Sequence, residues 1–196
     1  MKLLIFTDNH GSLSSLNKII KKSKNADLLI QSGDISVFEQ NLDYLLKKLS
    51  KVNKDVLILP GNHESETILR KECSFYKNMI YFHKKIKKIN DILFIGYGGE
   101  GFSLRTKDFE NFIKKNIKLI KKKNKIVLIL HQPPYGYLDL IMKEHTGNKS
   151  FADFIKKYKP LLVICGHLHE NENKEKRLGK ALIINPGPNG RIISLQ

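Results

Sequence analysis

The chain has no tryptophan, two cysteines, six prolines and 19 acidic residues against 35 basic ones in 196 residues. Each scarcity excludes something. Cys73 and Cys165 lack the Cys-x-x-Cys spacing of a redox or zinc motif and are too few for a disulfide scaffold, so a reducing, cytoplasmic setting is expected. No apolar run approaches the ~18 to 20 residues that cross a bilayer, so no membrane span is expected. The segment Met1–Asp8 meets an acid before a signal-peptide core can form. Arginine is scarce too: Arg70, Arg105, Arg177 and Arg191 are the only ones. The net charge of +16 is therefore almost entirely lysine. Such a surface attracts anions, but dedicated readers of bases and phosphates favour the planar guanidinium fork. A solvated lysine surface is the preferred reading, with nucleic acid a less favoured partner.

What is present is a regular alternation of short apolar runs with helix-spaced segments. Leu3–Thr7, Asp27–Gln31, Asp55–Leu59, Lys125–Leu130 and Leu161–Cys165 read as buried strands. Ile80–Phe82, Ile86–Ile89 and Ile92–Ile95 read as shorter ones, and the tail beyond Asn171 as a meander with turns at Gly179, Gly187 and Gly190. Helical spacing marks a segment capped by Ser12 or Ser14, then Phe38–Lys51, Ser65–Cys73, Thr106–Lys122 and Ser150–Tyr158. The pattern predicts a single α/β domain spanning 1–196.

The five longer strands share a property: each ends in polar residues able to bind a metal. Asp8 and His10 follow the first, Asp34 the second, Asn62 and His63 the third, His131 the fourth, and His167 and His169 the fifth. In open α/β sheets ligands bind beyond the carboxyl ends of strands, so these residues are expected to converge. Asp8, His10, Asp34, Asn62, His131, His167 and His169 form a set of imidazole, carboxylate and amide donors. Such a set suits manganese, iron, zinc, cobalt or nickel over calcium or magnesium. Seven ligands exceed what one catalytic ion takes but suit two, if a carboxylate bridges them. Extended backbone is expected to aim residues i and i+2 the same way at Asp8/His10 and His167/His169. Glycines before Asp34, Asn62 and His167 are expected to let the chain turn. Separate surface histidines are the bland alternative, but five of the seven histidines fall at these strand ends.

The blocks Asp8-x-His10, Gly33-Asp34, Gly61-Asn62-His63-Glu64, His131 and Gly166-His167-Leu168-His169, in this order, resemble the five motifs of the calcineurin-like metallophosphoesterases. Gly98-Gly99, His131-Gln132-Pro133-Pro134, His145-x-Gly147 and Asn185-Pro186-Gly187-Pro188 are similar to a small archaeal-type branch related to cyclic-nucleotide phosphodiesterases. The resemblance implies an αββα sandwich of two mixed sheets flanked by helices, with the metal site at the C-terminal strand ends. It implies that Asp8, His10, Asp34 and His169 bind one divalent ion, manganese being preferred. Asp34, Asn62, His131 and His167 would bind the other, with Asp34 bridging. It implies hydrolysis of phosphate esters, as a phosphodiesterase, by in-line attack of a metal-bridging hydroxide. His63 and Asn62 would be catalytic, His63 donating a hydrogen bond or proton at the phosphate. Small phosphate esters or cyclic nucleotides would be the substrates. A nuclease, and a non-catalytic interaction scaffold, are the alternatives. Val37 departs from many relatives, which carry an Asp there that orients the histidine.

Asn9, between two ligands, and His145, in the 132–150 loop, are further candidates for substrate contact. His83, beside a lysine cluster, is expected in solvent.

Overall fold

The structure is a computed structural model that describes residues 1–121 and 125–195. Thirteen strands and six α-helices are present among the described residues. One sheet contains β1 (Lys2–Phe6), β2 (Leu28–Gln31), β3 (Val56–Ile58), β4 (Met79–Tyr81) and β13 (Arg191–Ser194), in the order β13-β1-β2-β3-β4. The other contains β5 (Lys85–Ile89), β6 (Ile92–Tyr97), β7 (Ile126–Leu130), β10 (Leu162–Ile164), β11 (Glu175–Leu178) and β12 (Ala181–Ile184), in the order β11-β12-β10-β7-β6-β5. A small hairpin, β8 (Leu140–Ile141) with β9 (Glu144–His145), lies in the long segment after His131.

Strand alternation explains the four layers. Leu3 and Ile5 of β1 face one way and pack with Leu28, Ile30, Phe94, Val127, Ile129 and Ile164, a core between the two sheets. Leu4 and Phe6 face the other way, onto α1 (Leu13–Lys22), α2 (Leu42–Leu49) and α3 (Glu66–Ser74), with Leu16, Leu45 and Leu69. On the second sheet Leu93, Ile95 and Leu128 do the same against α4 (Lys107–Lys115), α5 (Ile117–Lys121) and α6 (Lys149–Tyr158). Side chains of period two can serve two cores at once only when both faces of a sheet are covered. The result is the expected αββα sandwich.

Both sheets are built around parallel strands. β1, β2, β3 and β4 run together in one, β6, β7, β10 and β12 in the other. Antiparallel strands occupy edges: β13 beside β1, and β5 and β11 in the second sheet. The edge strand β5 carries Lys85, Lys87 and Lys88, all exposed, which discourages pairing with another chain.

Several local expectations are corrected. The helix expected from Phe38 begins at Leu42, because Phe38, Glu39 and Asn41 adopt positive φ of 45°, 65° and 53°, which a right-handed helix forbids. The helix expected over Thr106–Lys122 is two, broken at Asn116, whose side chain donates to Phe112 O at 2.8 Å; Lys122 itself lies outside the described residues. The tail is not a meander: β11 and β12 form a hairpin, but β13 crosses to the first sheet and pairs with β1.

Candidate metal centre

The loops after the strands are fastened to one another by backbone hydrogen bonds. Asp8, His10 and Gly11 N–H groups donate in succession to the carbonyls of Gly33, Asp34 and Ile35, at 2.9 to 3.0 Å. Gly166 N–H donates to His131 O at 2.8 Å. The two sheets are then joined: His167 N–H donates to both carboxylate oxygens of Asp8, at 3.1 and 3.0 Å. His131 Nδ1 lies 3.0 Å from Ser32 O. Residues from β1, β2, β3, β7 and β10 thus meet along the facing C-terminal edges.

The backbone there is not extended, contrary to expectation. Asp8, His10, Asp34 and His167 have φ of 53°, 44°, 56° and 68°, and His169 opens a short 3-10 turn. Left-handed turns, not strand alternation, bring each Asp-x-His and His-x-His pair to one side. Of the three glycines only Gly33 is left-handed, at φ 108°. Gly61 and Gly166 act by close approach. A β-carbon at Gly61 would collide with the Asp34 carboxylate, and one at Gly166 with Thr7 Oγ1 and the Asp8 carboxylate.

Three groups of donor atoms lie within 4.8 Å of one another: Asp8–His10–His169, His10–Asp34–His63 and Asp34–His131–His167. Asp34 belongs to the last two, and its Oδ2 faces their imidazoles. It stands 3.3 Å from His131 Nε2, 3.8 Å from His10 Nε2 and 3.9 Å from His63 Nε2. Its other oxygen accepts the His63 N–H at 3.0 Å. Asn62 Oδ1 lies 3.1 Å from His131 Nε2. Six of the seven expected ligands lie in these groups together with His63, and the seventh, Asn62, lies against His131. Asp8, Asp34 and His131 form a buried floor, while Asn62 and His169 are exposed at the rim.

The chemistry of this donor set fits cations. Deprotonated, as a metal ligand must be, His131 would donate from Nδ1 to Ser32 O and turn its Nε2 lone pair toward two further acceptors, Asp34 Oδ2 and Asn62 Oδ1. His10 Nε2 and His169 Nε2 face each other at 3.0 Å. His167 Nε2 is buried without a hydrogen-bond partner among the described residues. Lone pairs converging with too few protons are what metal sites supply.

Charges respond accordingly. Burial disfavours ionised Asp34, yet the neighbouring His131 and His63 override it and hold the carboxyl at about 2. Burial likewise opposes His131 protonation, but Asp34 and Asp8 outweigh it and raise the imidazole to about 9. A proton thus stabilises the Asp34–His131 contact where no cation does. Burial, then the cationic His131, push His167 down to about 4. Burial raises Asp8 and lowers His10.

Other sequence candidates are placed as follows. Asn9 is 3% exposed, and its Nδ2 donates to Pro188 O at 2.8 Å, fastening the Asp8–His10 turn to the 186–188 turn. His145 stands on β9 with Nδ1 2.7 Å from Oδ1 of the buried Asp139. His83 is buried, against expectation, and its Nδ1 accepts the Gly98 N–H at 2.9 Å.

Glu64, the last residue of the Gly61-Asn62-His63-Glu64 block, has a structural role that the sequence does not announce. Its buried carboxylate accepts the N–H groups of Asp34, Ser36 and Gly61 at 2.8 to 3.0 Å and the Ser36 hydroxyl at 2.7 Å. It locks the loop carrying Asp34 to the loop carrying Asn62. Its only signal in the sequence is its place directly after His63.

Comparison with known proteins agrees with this geometry. The sequence pattern of the calcineurin-like phosphoesterases matches residues 1–171. An uncharacterized protein of Methanocaldococcus jannaschii is 32% identical over 200 residues, spanning 96% of this chain and 88% of its own. A crystal structure from Thermus thermophilus shares the fold with a TM-score of 0.79 at 19% identity, over 96% of this chain and 90% of that one. A structure described as a novel archaeal phosphodiesterase shares it with a TM-score of 0.56 at 20% identity, over 95% and 84%. The family depends on dinuclear metal centres. The chain belongs to the calcineurin-like phosphoesterase family and is a metal-dependent hydrolase of phosphoric esters.

Proposed function

We propose that residues 1–196 form a single catalytic domain that hydrolyses small phosphodiesters, cyclic nucleotides among them, in the cytoplasm, with two manganese ions. One observation carries the reading: Asp34 Oδ2 belongs to two donor groups at once, within 3.3 Å of His131 Nε2 and 3.8 Å of His10 Nε2. Asp8, His10, Asp34 and His169 would hold one ion, and Asp34, Asn62, His131 and His167 the other. Such a pair supplies Lewis acidity toward a phosphoryl oxygen and toward water.

The remaining work falls to side chains of the protein. Asp8 and Asp34 return two negative charges, leaving the pocket net positive for a monoanionic diester. Ser32 O and Asn62 Oδ1 fix the His131 ring between them. His63 presents Nε2 toward the site from a backbone anchored on Asp34, and donates a proton or hydrogen bond to the leaving oxygen. No aspartate at position 37 orients His63; instead the Phe38 ring packs on it. We assign His145, held by Asp139, to the substrate side. Asn9 fastens its turn to Pro188 through Nδ2.

The test is a screen of metals against mono- and diesters, on protein with measured metal content. Bis(p-nitrophenyl) phosphate should turn over with manganese, and Asp34→Ala and His63→Ala should each remove most of that activity. Full turnover in a metal-checked Asp34→Ala protein would end the two-ion reading.

A further inference from the structure

Two phenylalanine rings stand in solvent beside the site. Phe38 is 69% exposed and Phe102 is 64% exposed. Each packs on a different site imidazole. The Phe38 centroid lies 4.4 Å from that of His63, and the Phe102 centroid 4.7 Å from that of His167, edge to face. These two imidazoles sit in different donor groups, His10–Asp34–His63 and Asp34–His131–His167, which meet at Asp34. One exposed ring therefore flanks each group.

Neither ring is placed by the hydrophobic cores, which omit both. The chain is shaped to hold them. Phe38 adopts φ 45° and Glu39 φ 65°, conformations that bulky residues take only when their surroundings impose them. The Glu39 carboxylate accepts the Ser65 N–H at 2.8 Å, which fixes this turn to the segment just after His63. On the other side, a β-carbon at Gly101 would come within 3.7 Å of His167 Cε1 and 4.0 Å of Asn62 Cβ. The Gly101–Phe102 backbone thus borders the ligands directly. Gly99 N–H, donating to Pro60 O at 2.6 Å, ties the start of that loop to the Asn62 loop.

A diester carries two organic arms, one expelled and one retained. His63 stands where the leaving oxygen is protonated under the phosphodiesterase reading, on which this inference rests. We propose that Phe38 and Phe102 are aromatic platforms that select diesters with planar groups on both arms, Phe38 receiving the leaving arm and Phe102 the retained one. The shared chemistry is a flat π-face, whether an aryl ring or a nucleobase. Aliphatic arms gain nothing comparable from a phenyl face.

Calorimetric titration of the manganese-loaded protein with diphenyl phosphate, dithymidine monophosphate and dimethyl phosphate, whose leaving groups are poor beside p-nitrophenolate, tests binding apart from turnover. Diphenyl phosphate or the dinucleotide should bind about tenfold tighter than dimethyl phosphate. The tighter of the two identifies the aryl or the nucleotide source. Phe38→Ala and Phe102→Ala should each remove about fivefold of that preference, and Phe38→Tyr and Phe102→Tyr should restore it. Turnover then separates the arms. Phe38→Ala should raise KM for both bis(p-nitrophenyl) phosphate and methyl p-nitrophenyl phosphate. Phe102→Ala should raise it at least about fivefold more for the bis-ester. Equal affinity of the wild type for all three ligands, or an equal loss for all three in the alanine variants, overturns the proposal. Absence of turnover on any ester would overturn the phosphodiesterase reading and with it the assignment of arms, while the titration still decides the platforms.

Discussion

Metal-ligand chemistry is confined to few residue types, and strand ends are where folds of this kind expose them. That is why Asp8, His10, Asp34, Asn62, His131, His167 and His169 can be picked out one by one as candidate ligands, and the structure brings them together. What was not legible is how neighbours far apart in sequence bury and bond a residue. His83 is the clearest example. It precedes Lys84 and Lys85, which suggests solvent, but Tyr81 and Tyr97 pack around it and Gly98 donates to its Nδ1. Burial, opposed by nearby Glu66, drives its pKa from 6.5 to about 4. A lowered histidine pKa means the folded state refuses a proton that the unfolded chain accepts. The stability from neutral His83 is thus complete above pH 6.5 and lost as pH falls toward 4, at up to ~1.4 kcal/mol per pH unit. His83→Gln keeps an acceptor for Gly98 N–H and does not titrate. Urea unfolding between pH 6.5 and 4 should show a shallower decline in the variant. Parallel wild-type and variant curves would mean that His83 takes up its proton equally in both states.

Elements are legible where apolar runs are buried on both faces, as in β1, β2, β3, β7 and β10. The pattern misleads where an apolar residue keeps helical spacing for another reason. Phe38 stands four and seven positions before Leu42 and Leu45, so periodicity enrols it in α2, yet the backbone turns left-handed there and sends the ring to His63. The hairpin β8–β9 has too few residues to carry a period. Polar scaffolding between elements is equally silent in sequence, and Asn148 shows its scale. Its Oδ1 accepts the N–H groups of Ser150 and Phe151, capping α6. Its Nδ2 donates to Ser103 O at 2.9 Å and Thr106 Oγ1 at 2.8 Å, holding the loop that carries Phe102. Asn148→Ala removes a cap worth ~1 kcal/mol and strands buried partners at ~1 to 3 kcal/mol. A loss of about 2 to 4 kcal/mol is expected in chemical denaturation. The Thr106 amide, which donates to Ser150 Oγ, should exchange with solvent faster. A fully stable Asn148→Ala with unchanged Thr106 exchange would show that this loop is held by other contacts.

For the whole molecule, periodicity supported only an α/β fold; the four layers came from the motif resemblance, since which sheet a strand joins is decided by pairing partners far along the chain. β13, which leaves its sequence neighbours to pair with β1, is the case in point. The net charge of +16, by contrast, is a property of the sequence alone and acts at a distance. It is spread over lysines on many faces, so it makes a broad positive field around a site that takes anions. Raising ionic strength from ~0.01 to ~0.15 M shortens the Debye length from ~30 to ~8 Å and collapses that field beyond the nearest charges. KM should therefore rise with salt, and rise more for dianionic p-nitrophenyl phosphate than for monoanionic bis(p-nitrophenyl) phosphate, while kcat holds. The ratio of the two slopes matters most, because a general salt effect on folding or metal content would move both esters and kcat together. A KM that ignores salt for both esters would mean that the lysines are locally screened and serve solubility, leaving substrate capture to the cations and the two exposed rings.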